Sequence, residues 1–243
     1  DGVLAEGLWA LVKELINVGE VTVVAPDREQ SAIGTAVTLY QPLRVQKISP
    51  LLPGVDAYAV QGTPSDCVIL AVSKLLEHPV DVVVSGINQG TNLGDDVLIS
   101  GTVAAAIQGY LRGLHALAVS IETMDSRYFE TPARLAALLV KWIGSKPLGG
   151  RVLFNANLPS LQLPEIKGAS VTRLASGTHT DAAEEGNDGK RKYYWLVRQK
   201  ADNAAGSLTD VWAVEHDNIS LTPLHTELLN RAAPAIPADL GTE

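Results

Sequence analysis

"VDVVVSGINQGTNLGDDVLISGTVAAAIQG", residues 80–109, changes character twice. Val80 to Val84 reads as a buried strand, and Val103 to Ile107 is a strong helix former. The join, Ser85 to Thr102, holds four glycines, two asparagines, two aspartates, two serines and two threonines, and neither Lys nor Arg. A buried strand running through a glycine-rich turn into a helix is the repeating unit of a parallel α/β sheet.

The same alternation extends outward. Strands are expected at 21–26, 58–62, 80–85 and 116–121, and helices at 4–17, 64–76 and 102–112. Thr63-Pro64-Ser65-Asp66 opens the second helix as a cap, a first-turn proline and a first-turn acid. Near-continuous apolar strands alternating with helices predict an α/β fold with a doubly wound, mostly parallel sheet. Ligands of such sheets sit beyond the carboxyl ends of the strands. A helix feeding a parallel strand normally follows a strand, so one is expected ahead of Asp1-Gly2; the only methionine is Met124.

After residue 123 the pattern loosens. A helix is expected at 134–143 and a strand at 151–157. Strands dominate 160–224, among them 169–174, 193–198 and 211–222, around a mobile polar loop at 177–192. A tail with two prolines and little to pack ends the chain at 232–243. The expected organisation is a core over 1–159 and a β-rich C-terminal oligomerisation excursion over 160–243.

Composition narrows the partners. A net charge of −8 argues against a nucleic-acid polymer, whose phosphates need clustered Lys and Arg. No apolar run reaches the ~18 residues of a membrane helix, so no membrane partner is expected. The single cysteine, Cys67, excludes an internal disulfide and fits a reducing, cytoplasmic setting. A small-molecule partner remains.

The loop chemistry says what kind. Ser100-Gly101-Thr102 precedes the helix, where free amides bind anions and a glycine permits close approach; Ser100 as a plain cap is the alternative. A phosphate dianion ~5 Å from a carboxylate such as Asp1, Asp95 or Asp96 is repelled by ~6 kcal/mol at an effective dielectric of ~20. A helix terminus returns at most ~2 kcal/mol. With no Lys or Arg in the stretch, a divalent cation supplies the missing charge, and oxygen donors favour Mg²⁺ or Mn²⁺ over zinc. Asp1, Ser31 and Asn88 each follow a strand on the same expected edge. Each residue type is also a common turn former. His179 is expected to be solvated, and Asp95-Asp96 reads as a hydrated turn.

These residues give the chain a resemblance to the SurE family of metal-dependent nucleotidases. It rests on Asp1-Gly2, "EVTVVAPDREQSA" at 20–32, "YAVQGTPSDCV" at 58–68, residues 81–109, "NANLP" at 155–159 and "TDVWAVEHDNISLTPL" at 209–224. The resemblance implies a Rossmann-like core, a divalent metal (Mg or Mn) and hydrolysis of nucleoside monophosphates, with action on short polyphosphates in some members. It also implies a homodimer or homotetramer built through an extended hairpin and an exchanged C-terminal segment. Of the family's metal ligands, Asp1 matches the second aspartate, Ser31 the serine and Asn88 the asparagine; the first aspartate falls ahead of Asp1, outside this sequence. Asp1 is then also the candidate catalytic group, with Asn92, Ser100, Gly101 and Thr102 holding the phosphate. A non-catalytic nucleotide or polyphosphate sensor and a carbohydrate-binding or sugar-transferring module are the alternatives at this point.

Overall fold

The structure is a computed structural model and describes residues 1–49, 51–123, 125–145, 149–200 and 206–227. Its centre is the expected strand–helix unit. Strand β4 (Val82–Gln89) leads through the polar turn into helix α3 (Gly101–Leu111), which returns to β5 (His115–Ile121). β5 pairs in parallel with β4 and with β6 (Leu153–Leu158).

β5 shows why two layers of helix are needed. Leu117, Val119 and Ile121 face a cluster with Leu11 and Leu15 of helix α1 (Glu6–Leu15) and Ala133 and Ala136 of helix α4 (Glu130–Ser145). Ala116 and Ala118 point the other way, onto Val103 and Ala106 of α3. The small side chains on that side let α3 lie close: a Cβ on Gly109 would stand 2.7 Å from Val83. The alternation of period two therefore buries both faces of one strand, the signature of a doubly wound sheet.

The sheet runs on past residue 159. β10 (Asn218–Pro223) lies antiparallel to β6, and β7 (Gly168–Val171) pairs in parallel with β10. Residues 160–227 thus give two strands to the core sheet as well as a separate two-stranded ribbon, β8 (His179–Asn187) with β9 (Lys192–Lys200). On the other side stands a three-stranded sheet in which β1 (Thr22–Pro26) pairs in parallel with β3 (Asp56–Val60), and β3 antiparallel with β2 (Val45–Ile48). β1 and β4 are edge strands of the two sheets, and residues of both line one cavity. The expectation of a strand ahead of Asp1 concerns residues outside this sequence.

Several expectations need correction. Residues 211–222 are not one strand: helix α5 (Asp210–Glu215) occupies the first half, and only β10 the second. Thr209 caps that helix by accepting from the Trp212 N–H at 3.2 Å, and this local bond outweighs the strand preference of Val and Trp. The loop expected at 177–192 is mostly β8, registered against β9 from His179↔Lys200 to Asn187↔Lys192. Its Ala- and Glu-rich sequence carries no strand signal, and cross-strand pairing decides the conformation. Helix α2 (Pro64–Leu70) ends early and passes into a wider π turn over Ala71–Leu75. β2 was not anticipated. The tail at 232–243 lies outside the described residues. Among the described residues no helix is long and apolar enough to cross a membrane.

Candidate active site

A cavity of about 310 Å³ opens where the ends of β1 and β4, the 29–32 turn and the start of α3 meet. Asp1, Ser31, Asn88, Asn92, Ser100, Gly101 and Thr102 all line it. Residues spread over a hundred positions of sequence therefore share one wall, because parallel strands deliver their following loops to the same edge.

Asp1 is anchored by its neighbours. The Val3 N–H donates to the Pro26 carbonyl at 2.8 Å, and Gly2 packs against the Arg28 backbone, where an added Cβ would stand 3.2 Å from Cα. The exposed Asp1 carboxylate is thereby held beside the turn that follows β1. In that turn the Ser31 hydroxyl donates to Glu29 Oε1 at 2.5 Å, which leaves its oxygen lone pairs free to accept.

Asn88 ends β4 opposite Ser120 of β5. Its Nδ2 donates to the Gly90 carbonyl at 2.7 Å and to the Gln89 carbonyl at 3.3 Å, which fixes the orientation of the amide. Oδ1 faces Thr102, whose hydroxyl donates to it at 3.2 Å. Asp1, Ser31 and Asn88 thus present one carboxylate and two neutral oxygens, a donor set that suits a hard divalent ion. Among the described residues no group of three or more His, Cys, Asp and Glu side chains could hold a metal.

The start of α3 supplies hydrogen-bond donors. Ser100 Oγ accepts from the Val103 N–H at 3.2 Å, so the cap reading of this serine is correct as far as it goes; its own O–H remains a donor. Gly101 and Thr102 occupy the first turn, where N–H groups have no intrahelical acceptor. Gly101 must be small: a Cβ there would lie 3.0 Å from Pro64 and 3.3 Å from the Gln30 carbonyl.

Asn92 reaches the cavity with less freedom. Its Nδ2 donates to Ser120 Oγ at 2.8 Å, which commits one of the two amide hydrogens. The backbone is gripped by two buried residues of β6: Asn157 Oδ1 accepts from the Asn92 N–H at 2.8 Å, and Asn155 Nδ2 donates to its carbonyl at 2.8 Å. Sequence reading missed this polar cradle, though "NANLP" displays it. Two asparagines at period two in an apolar strand must point to the same face, and buried amides need partners.

A second missed anchor is Asp66. Fully buried, it accepts from the Thr38 N–H at 2.9 Å, the Thr38 hydroxyl at 2.7 Å and the Thr63 N–H at 2.9 Å. The Thr63 cap expected from sequence is closed by Asp66 into a full capping box, and the same carboxylate tethers the loop that follows Ser31. Asp95 and Asp96 lie on a short 3-10 turn, and Asp96 is not simply hydrated: Arg198 Nη1 reaches its Oδ1 at 2.7 Å and His179 Nδ1 at 3.5 Å. The cation absent from the turn arrives from β9.

Comparison with known proteins agrees with this architecture. The family model described as Survival protein SurE matches residues 1–181. The 5'-nucleotidase SurE of Dehalococcoides mccartyi (strain CBDB1) is 52% identical over 233 residues, covering 95% of this chain and 88% of that protein. The 5'-nucleotidase SurE of Synechococcus sp. (strain JA-3-3Ab) is 44% identical over 237 residues, covering 96% and 92%. The crystal structure of the SurE protein from Aquifex aeolicus superposes with a TM-score of 0.81 at 35% identity, covering 95% of this chain and 92% of that one. With the family model spanning its core and these relatives matching nearly end to end, the chain belongs to the SurE family.

Proposed function

We propose that this chain is a metal-dependent 5'-nucleotidase that hydrolyses nucleoside monophosphates to nucleoside and phosphate. The observation that carries the reading is the convergence of Asp1, Ser31 and Asn88 with the start of α3 on one cavity. The relatives named 5'-nucleotidase support the substrate class.

Asp1, Ser31 and Asn88 are the proposed ligands of a Mg²⁺ or Mn²⁺ ion, which when bound supplies positive charge toward the phosphate and makes water a better nucleophile at neutral pH. The Asp1 carboxylate orients the attacking water and accepts its proton. The N–H groups of Gly101 and Thr102, the Ser100 hydroxyl and the uncommitted hydrogen of the Asn92 amide donate to phosphate oxygens, where charge builds during displacement. No covalent intermediate is needed, because no residue in this set is an activated nucleophile.

The exposed β8–β9 ribbon is the proposed oligomer contact, made with a second copy in a homodimer or homotetramer, and the proposed setting is the cytoplasm. Phosphate release from AMP and GMP by the full-length protein, with Mn²⁺ or Mg²⁺ and again after EDTA, tests the assignment. Metal-dependent release that is lost in Ser31→Ala and Asn88→Ala is expected. A folded protein that binds the nucleotide and releases nothing would make it a sensor. Short-chain polyphosphate in the same assay decides whether it is a further substrate.

A further inference from the structure

Asp210 heads α5, far from the cavity in sequence, and is completely buried. Its carboxylate joins three segments. Oδ2 accepts from the Gly94 N–H at 2.7 Å; Oδ1 accepts from the Ala175 N–H at 2.8 Å and from the Val211 N–H at 2.9 Å. Gly94 belongs to the turn between Asn92 and α3, and Ala175 to the root of the β8–β9 ribbon.

These two turns leave no slack. Gly94 has φ +51°, and a Cβ on it would stand 2.4 Å from Thr178 Cγ2 and 2.8 Å from the Ala175 carbonyl. Thr178 Oγ1 accepts from the Asp95 N–H at 3.3 Å, and the Thr178 N–H donates to Asp95 Oδ2 at 3.2 Å. From this point the backbone leads straight to the phosphate donors: the Asp96 carbonyl accepts from the Ser100 N–H at 3.0 Å. The upstream side of the turn is fixed by Asn155 and Asn157 at Asn92. Among the described residues, Asp210 ties it at Gly94 to the C-terminal segment.

We infer that Asp210 is a positioning residue for the phosphate-binding turn, and that through it the root of the ribbon and the cavity share one buried carboxylate. The inference rests on the nucleotidase reading for its catalytic consequence, but not for its geometry. Burial holds the Asp210 carboxyl above the ordinary aspartate value, while the amides of Gly94, Ala175 and Val211 pull it down.

Asp210→Asn keeps the shape but turns one acceptor into a donor, so either Gly94 or Ala175 loses its partner. Thr209→Ala is the control, because it removes the α5 cap and leaves both of those bonds intact. At temperatures well below both melting points, Asp210→Asn is expected to lower kcat for AMP about 10-fold with KM within about 3-fold, the mark of a contact that matters in the transition state. Thr209→Ala is expected to keep kcat within about 2-fold. Deuterium uptake over residues 90–103 should rise in the first variant and not in the second. Equal kcat and equal uptake in the two variants would reduce Asp210 to a helix residue. If the wild-type protein releases no phosphate, the nucleotidase reading fails, and the uptake comparison still decides the coupling. Should Asp210→Asn not fold, amide exchange in the wild-type protein decides: slow, matched exchange at Gly94 and Ala175 is expected, and fast exchange at either overturns the inference.

Discussion

The Thr102 hydroxyl donates to Oδ1 of Asn88 at 3.2 Å, joining the first turn of α3 to the end of β4. The other end of that amide is held by two backbone carbonyls, so Asn88 cannot turn a nitrogen toward the cavity without losing both. Asn88→Asp should therefore keep a cation but add a charge beside the substrate. Repulsion between a carboxylate and a phosphate dianion is ~6 kcal/mol at ~5 Å and an effective dielectric of ~20, and the neighbouring cation cancels part of it. A fall of about 100-fold or more in kcat/KM with Mn²⁺ affinity retained is expected, since ~2.7 kcal/mol already gives that factor. Titration calorimetry with Mn²⁺ beside steady-state kinetics checks it. Unchanged turnover would remove Asn88 from the site.

Asp96 and Arg198 meet across 102 positions of sequence, yet the Arg198 charge does not offset what burial does to the Asp96 carboxyl. Burial lifts the Asp96 carboxyl above its ordinary value of 3.8; His179 and Arg198 pull it down, and Asp95 and Asp181 lift it further. With the folded value raised, the folded chain holds more proton than the unfolded one just above 3.8. The contribution of this group is therefore most favourable at low pH and is lost as pH rises through the folded value. Asp96→Asn should keep Tm at pH 7 within about 2 °C of wild type, or raise it, and should flatten the acid side of the Tm profile. Arg198→Ala strands the carboxylate and should lower Tm. Thermal melts across pH at fixed ionic strength compare them; an equal drop in both would make the pair a stabilising one.

How far these anchors were readable from sequence depends on where their partners lie. The run from Val82 to Leu111 was legible because apolar periodicity, glycines and a helix former agree locally. Ser31 and Asn88 were legible as residues that follow or end a strand, and a parallel sheet carries strand ends to one edge; the strand expected ahead of Asp1 lies outside this sequence. Asp210 was not: "TDVWAVE" offers β-branched residues and a tryptophan, and its helix is decided by the Thr209 cap and by amides at Gly94 and Ala175. β8 was not legible because its partner strand, rather than its own sequence, selects the conformation.

Cys67 lines the cavity but is not a reactive thiol. It is 1% exposed, and burial, helped by the Asp66 charge, pushes its pKa up to about 12. The thiolate fraction at pH 8 is on the order of 10⁻⁴, and the thiolate is the form that attacks an alkylating reagent. Iodoacetamide at pH 8 should leave the folded protein unlabelled over an hour and label one site per chain in denaturant, as read by intact mass. Rapid labelling of the folded chain would show that the wall of the cavity opens.

The β8–β9 ribbon carries apolar groups on both of its faces. Along β9 side chains alternate, so Tyr193 and Trp195 face one way and Tyr194 and Leu196 the other. All four are exposed, Trp195 to 68% and Leu196 to 84%. A two-stranded ribbon is marginal in water by itself, so burial of these faces against a second copy would stabilise it. The double change Trp195→Ser and Leu196→Ser removes the more exposed of the named apolar groups from each face and leaves the Arg198–Asp96 contact at the root. Sedimentation velocity is expected to show a smaller species than wild type with unchanged core circular dichroism. If the variant keeps the assembly size of wild type, the ribbon is not the oligomer contact.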